Sequence, residues 1–346
     1  MSDTTSTGTG QAPESGATLV ADKPAEKKAA IIGRSPGQLA WLRLRRDRVG
    51  VFSLGIVLVF FVVSMLAPLV ELIYGYGPTT NNSHLLNEDS LPLGYLGGIT
   101  FSSDNASNHM HILGVQPGTG RDMFMQLVYG ARTSLLISLS ATVISLVIGV
   151  VIGIVAAYVG GWIDSFLNWF TDYMLAFPFL IFAFAAIPIV NTWLADEKGE
   201  VSETSRIWTI IVIFSVFGWM GTARLVRGQV LSLREREYVE AARAAGAGVN
   251  HILFRQLLPN LWAPILVTFS LSVPATVTGE AALSFLGIGV VEPTPDWGRM
   301  INDSVAWYRE QPMYMLIPGI SIFILVLAFN LFGDALRDAL DPKSTK

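Results

Sequence analysis

Six stretches of this chain carry no charged side chain: residues 49–70, 133–163, 173–195, 207–223, 256–279 and 311–333. The hydrocarbon core of a bilayer is about 30 Å thick and takes roughly 20 apolar residues per helix. Backbone N–H and C=O groups find no water there, so runs of this kind must satisfy their own hydrogen bonds as helices. The expected fold class is therefore an all-α polytopic membrane protein with six transmembrane helices. Composition agrees, because only 14% of the 346 residues are charged, against about a quarter in soluble domains. The chain has no cysteine, which excludes disulfides, thiolate zinc sites and cysteine-held iron–sulfur clusters.

Basic residues set the expected orientation. Seventeen of the 23 Lys and Arg residues lie before the first run, between the fourth and fifth, or after the sixth. The loops that must face the other way hold only Arg121, Arg132, Lys198, Arg206, Arg299 and Arg309. The excess of positive charge marks the cytoplasmic side, so both termini are expected in the cytoplasm. The loop at residues 160–171 has no basic residue and is placed by alternation alone.

The domain layout follows from these boundaries. Residues 1–40 read as a disordered cytoplasmic tail, rich in Ser, Thr, Gly, Ala and Lys and without a signal-type apolar run. Residues 41–74 hold the first transmembrane helix and 75–132 an extracytoplasmic segment of loop composition. Residues 133–346 form the core, with five spans and a cytoplasmic loop at 227–258. Tyr74-Gly75-Tyr76-Gly77 superficially matches a potassium filter, but it ends a span and has no re-entrant pore helix before it.

That cytoplasmic loop is the most informative part of the chain. Glu237 to Ala245 is built of helix formers, with Ala241, Ala242, Ala244 and Ala245 giving it a small-residue surface. Gly246 suits a helix stop, since glycine tolerates a left-handed cap. Ser232 with Glu235 fits a capping box, Asn250 is placed to cap the next helix, and Pro259 falls near the start of the fifth span. A short alanine-rich helix with Glu240 and Arg243 at its flanks fits a groove on another protein; it equally fits a solvated connector.

The spacing of Glu240-Ala241-Ala242, Gly246 and Leu258-Pro259 resembles the E-A-A-x-x-x-G-x₉-I-x-L-P signature of permease subunits of binding-protein-dependent ABC importers, with Gln256 at the isoleucine position. Gly120-Arg121-Asp122, Tyr129 to Leu135, Leu283-Ser284-Phe285-Leu286-Gly287, Pro293 to Gly298 and Gly333 to Pro342 resemble the OppC/DppC-type branch that serves oligopeptides, dipeptides and nickel. Asn168-Trp169 departs from that branch's usual Met-Arg. The resemblance spans residues 38–342, outside the stretch 80–109. It implies a type I ABC importer permease fold in a bacterial inner membrane. It also implies a coupling helix at Glu240, Ala241, Ala242, Arg243, Gly246, Leu258 and Pro259 that docks on a cytoplasmic ATPase subunit. The implied partners are a homologous second permease subunit, cytoplasmic ABC ATPase subunits, an extracytoplasmic solute-binding protein and the lipid bilayer, with no nucleic acid. Peptides are the implied cargo; nickel complexes, glutathione and glycosides are the alternatives.

No Gly-Lys dipeptide occurs in the chain, so no Walker A loop is available to cradle phosphates. ATP and Mg are therefore expected on partner subunits, with no cofactor bound by this chain, no metal site and no catalytic residue. An intramembrane protease would need a catalytic set within the spans, and none is visible. A secondary transporter would bring coupling carboxylates or related halves; Glu280 alone stands in an apolar stretch. Glu280 reads as a residue of the path or gate, or as a packing hydrogen bond. Pro259, Pro264 and Pro274 are expected to interrupt the fifth span, with Pro274 a second path candidate. His109 and His111 read as solvated loop histidines, and the tryptophans mostly as interface anchors.

Overall fold

The computed structural model describes residues 36–93 and 111–341. The chain divides into two units, Met1–Ser35 and Pro36–Lys346, and the fold is that of the second. Most of the tail expected at residues 1–40, and His109, lie outside the described residues, while Pro36 to Ala40 already belong to a helix. Among the described residues regular structure is helical, with two isolated β-bridges, Leu86 to Pro92 and Val115 to Asp122.

The helices run in the order α1 (Pro36–Arg46), α2 (Arg48–Met65), α3 (Ala67–Tyr74), α4 (Met123–Val159), α5 (Gly161–Leu175), α6 (Phe179–Leu194), α7 (Glu203–Leu233), α8 (Glu237–Ala244), α9 (Val249–His251), α10 (Leu258–Phe285), α11 (Trp297–Ser304) and α12 (Pro312–Leu340). A π-helical turn, Ile252–Leu257, joins α9 to α10. Five helical segments are long and apolar enough to cross a membrane, and α5 with α6 supply a sixth if that pair, bent by 85°, is one span. Their outward surfaces keep large apolar side chains exposed, with Phe52 at 71% and Trp193 at 79%. Water does not tolerate such a continuous surface, and a bilayer does.

Local chemistry explains where these helices depart from the apolar runs. Asp122 accepts from the Met125 amide at 2.7 Å, a side-chain cap that starts α4 ten residues ahead of the uncharged run at 133. Gly160 stops it with φ 68° and ψ −160°. The loop expected at 160–171 is instead helix α5. The third run is not one straight span either. Pro178 has no N–H and disfavours helical backbone at Phe177, so the chain breaks between Leu175 and Phe179. The fifth span shows the reverse correction: α10 continues through Pro264 and Pro274 without interruption. Thr268 and Thr278 donate back to the carbonyls of Pro264 and Pro274 at 2.8 and 2.9 Å.

The most extensive helix packing joins α4 to α7. A Cβ on Gly149 or Gly153 would lie 2.6 Å from the Trp219 or Ala223 carbonyl oxygen. Small residues four apart are what let two membrane helices approach this closely, since dispersion rather than the hydrophobic effect joins helices in lipid. A second core joins α4, α10, α11 and α12 around Trp297, which is fully buried and donates to the Leu127 carbonyl at 2.9 Å. Trp297 and Trp219 are thus core residues rather than interface anchors, whereas Trp162, Trp169, Trp193 and Trp208 are exposed. Leu44 of α1 packs against Ala335 and Ala339 of α12.

Candidate functional site

Helix α8 is short and lies outside the spans. Its C-terminus closes as a Schellman motif: the Gly246 amide donates to Arg243 O at 2.9 Å and the Ala247 amide to Ala242 O at 3.0 Å. The motif needs a left-handed residue, and Gly246 supplies it with φ +79°. The N-terminal expectations fail. Ser232 sits inside the last turn of α7, and α8 begins after Arg236 with no side-chain cap. Asn250 is helical within α9, whose N-cap is Gly248. In both places the preceding element runs on or turns by backbone hydrogen bonds alone, leaving the polar side chain no cap to make.

The two faces of α8 differ sharply. Val239 is fully buried in a cluster drawn from three neighbouring elements: Ile154 and Ala157 of α4, Val226 and Val230 of α7, and Leu261 and Ile265 of α10, with Ile252 and Leu257 of the π turn. The other face, with Glu237, Glu240, Ala241, Ala244, Ala245 and Gly246, is exposed. The Arg243 guanidinium lies 5.5 Å from the ring centre of Tyr158, a cation–π contact that ties the helix to the end of α4. Leu258 packs on the same cluster, and Pro259 is exposed in the first turn of α10. The residues singled out in the sequence as one signature therefore meet at one end of the bundle.

Two ion pairs fasten α5 to α7 near that end. Arg227 donates from Nε and Nη2 to the two oxygens of Asp164 at 2.6 and 2.8 Å. Arg224 reaches Asp172 at 2.5 Å, and Arg234 donates to the Ala157 carbonyl at 2.8 Å. In the sequence these arginines stand out only as part of the positive charge between the fourth and fifth runs. The available signal was a pair of carboxylates eight residues apart flanking an otherwise uncharged stretch, which demand cationic partners wherever that stretch meets protein or lipid.

Glu280 and Pro274 sit elsewhere. Glu280 is fully buried near the opposite end of α10, where Ser284 donates to it at 3.0 Å. Beside it Asp296 caps α11 through the Arg299 amide at 2.9 Å and accepts from Ser134 of α4 at 3.1 Å. This knot joins α4, α10 and α11. His111 lies at the start of α4, beside its N-cap Asp122. It is buried, not solvated, with Nδ1 2.7 Å from Asp122, which also accepts from the Tyr74 hydroxyl at 3.0 Å. Arg121 bridges to Glu292 at 3.0 Å.

A cavity of 460 Å³ opens between α4, α7, α10 and the break separating α5 from α6. Thr142 and Ser145, Phe214 and Phe217, Ser272 and Thr276 form its walls, with Phe177 of the break. Glu280 and Pro274 do not border it.

The chain matches the family described as binding-protein-dependent transport system inner membrane component over residues 149–346. It belongs to that family. Residues 35–92 of this permease match the N-terminal TM domain of oligopeptide transport permease C. It is 35% identical over 309 residues to the dipeptide transport system permease protein of Alkalihalophilus pseudofirmus, covering 89% of this chain and 90% of the relative. It is 36% identical to the glutathione transport system permease protein of Salmonella typhimurium, over 90% of this chain and 91% of the relative. Identity to the oligopeptide transport system permease protein of Bacillus subtilis is 35%, over 89% and 90% of the two chains. Among solved structures it is similar to a chain of the MetNI methionine ABC transporter in an inward-facing conformation, with TM-score 0.51 and 20% identity, covering 63% of this permease and 98% of that chain. The fold is that of an ABC importer permease, and the protein is a multi-pass inner-membrane transport component.

Proposed function

We propose that this permease forms half of the translocation channel of an ATP-driven importer of di- and oligopeptides, and that α8 is the helix through which ATPase subunits drive it. The observation that carries this reading is the two-faced burial of α8. One face offers small side chains to the solvent, where a groove on another protein can approach the backbone closely. The other buries Val239 in an apolar cluster to which α4, α7, α10 and the π turn contribute. A displacement of α8 therefore acts on a cluster that those three spans share, and the same spans line the cavity. From Ile265 to Ser272 of α10 is seven residues, about 10 Å at 1.5 Å per residue, a rigid link from lever to cavity wall.

In the proposed cycle a homologous second permease completes the channel, and an extracytoplasmic binding protein delivers solute. ATP and Mg bind the partner ATPase subunits. ATP binding closes those subunits around α8, and hydrolysis resets them. For such coupling the two states must dock α8 with different free energy. Peptide cargo is supported by the relatives named for dipeptide, oligopeptide and glutathione transport.

Gly246→Pro or Glu240→Arg is expected to abolish solute uptake and receptor-stimulated ATP hydrolysis in reconstituted transporter, while solute binding to the receptor is unchanged. Wild-type uptake in the double variant would sink the docking role. The ligand retained by the cognate receptor, identified by mass spectrometry after mild unfolding, decides the cargo; retention of a nickel complex or a glycoside in place of a peptide would displace the peptide assignment.

A further inference from the structure

Helix α5 is amphipathic in an unusual sense. Its two carboxylates are held by Arg227 and Arg224 of α7, while Trp162, Phe166, Trp169 and Tyr173 are exposed on the other side. Their spacing of four, three and four residues sets the rings in one line along the helix. Ring centres lie 6.0 Å apart for Phe166 and Trp169 and 5.8 Å apart for Trp169 and Tyr173. A continuous apolar surface of this kind marks contact with a membrane or another protein.

The position of α5 decides between the two. Arg224 is the first charged residue after the uncharged run of α7, so the ion pairs hold α5 at the level where that run ends. From Asp164 to Asp172 α5 advances about 12 Å, whereas from Arg227 to Arg224 α7 covers only about 4.5 Å. Helix α5 therefore lies across α7. Helix α6 instead packs into the bundle, with Ala183 and Ile187 against Ile213 of α7 and Leu283 of α10. Its 16 residues cover about 24 Å, most of a hydrocarbon core, and no charge follows Asp172 until Asp196. With α6 as the span, the 85° bend leaves α5 close to the membrane plane.

We propose that α5 is an interfacial helix, lying along the α8 side of the bilayer with its aromatic row set between headgroups and acyl chains. Trp and Tyr favour that boundary, and an in-plane helix buries its apolar face there by about 5–10 Å. Helix α5 carries no Lys or Arg, so the rings rather than anionic headgroups seat it, and zwitterionic lipid suffices. The sixth span is then α6 alone. Rolling α5 about its axis would carry Asp164 towards lipid, so the Arg227 pair and the aromatic row fix one orientation between them.

The chain's lack of cysteine makes the test direct. Trp162, Phe166, Trp169 and Tyr173 are each replaced by a single spin-labelled cysteine, in the complete transporter with cysteine-free partner subunits in phosphatidylcholine nanodiscs. Depth is read from collisions with oxygen and with a water-soluble nickel chelate. Val59→Cys, exposed on α2, is the lipid reference, and Lys198→Cys, exposed between α6 and α7, the aqueous one. All four labels are expected at one boundary depth within about 4 Å, whereas a helix along the membrane normal would spread them over about 16 Å. The larger spread would overturn the in-plane position. Shielding of Phe166 and Trp169 labels from both probes would mean that a protein subunit covers the row, and nickel collisions equal to those at Lys198 would place it in water; either result overturns the lipid seat. A substitution that disturbs the helix locally displaces its own label, and the other three still carry the comparison.

Discussion

Gly246 sits in a left-handed conformation that side chains with a Cβ adopt at a cost of roughly 1–2 kcal/mol, and asparagine is the mildest of the alternatives. Gly246→Asn is therefore expected to keep most of the uptake, and the β-branched Gly246→Val to lose most of it, with both chains present at similar levels in the membrane. Equal activity of the two would show that the cap is not what positions α8. A second residue-scale expectation concerns pH. Burial raises the Asp303 carboxyl above its ordinary value, while the Arg299 guanidinium, 3.6 Å away, opposes the shift. The folded chain then holds that proton more tightly than the unfolded one. The stability this group contributes is full below its unfolded value of about 3.9 and is lost as pH rises through the raised value. Asp303→Asn is expected to flatten the decline in thermal midpoint from acid towards neutral pH; an unchanged slope would assign that decline to other groups.

At the scale of elements, α5 is held against α7 by charge rather than by the small-residue packing that joins α4 to α7. The Arg227–Asp164 pair is bidentate and largely shielded from solvent, and hydrogen bonds to charged groups contribute about 1.5–3 kcal/mol. Asp164→Asn is expected to lower the thermal midpoint and to impair uptake, because α5 leads directly into the break that borders the cavity. Exchanging the partners, as Asp164→Arg with Arg227→Asp, is expected to recover part of both. No recovery would mean that the surroundings, and not the pair, fix the sign of each charge. Arg224 and Arg227 of α7 serve the two carboxylates of α5, so neither carboxylate depends on a positive charge at Asn168-Trp169.

For the whole molecule, the distribution of Lys and Arg calls for both termini and α8 on the cytoplasmic side. Ala245→Cys in the cysteine-free chain is expected to react with an impermeant maleimide only in inverted or permeabilised membranes, and Lys198→Cys, between α6 and α7, in intact cells. The reverse pattern would invert the topology and detach α8 from any cytoplasmic ATPase. The permease has the proposed docking helix α8 at one end, a cavity between α4, α7 and α10, and a polar knot of Glu280, Asp296, Ser134 and Ser284 at the other.

The sequence by itself determined the solvent, the apolar segments and the one segment outside them worth watching. Charge-free runs leave a chain few options in a bilayer, and a Glu-Ala-Ala helix stopped by glycine is a local pattern that local energetics enforce. The Gly149–Gly153 spacing was also present to be read, though only the fold shows that α7 fills it. Tertiary structure decided the rest. Whether proline breaks a helix depends on what packs around it, so α10 runs through Pro264 and Pro274 while Pro178 bends its span by 85°. Whether a polar residue faces a path or a core depends on partners distant in the chain. Glu280 lies among Ser284, Asp296 and Ser134, and His111 on Asp122. Pairings of that kind are set by which helices meet, and no periodicity within one segment encodes them.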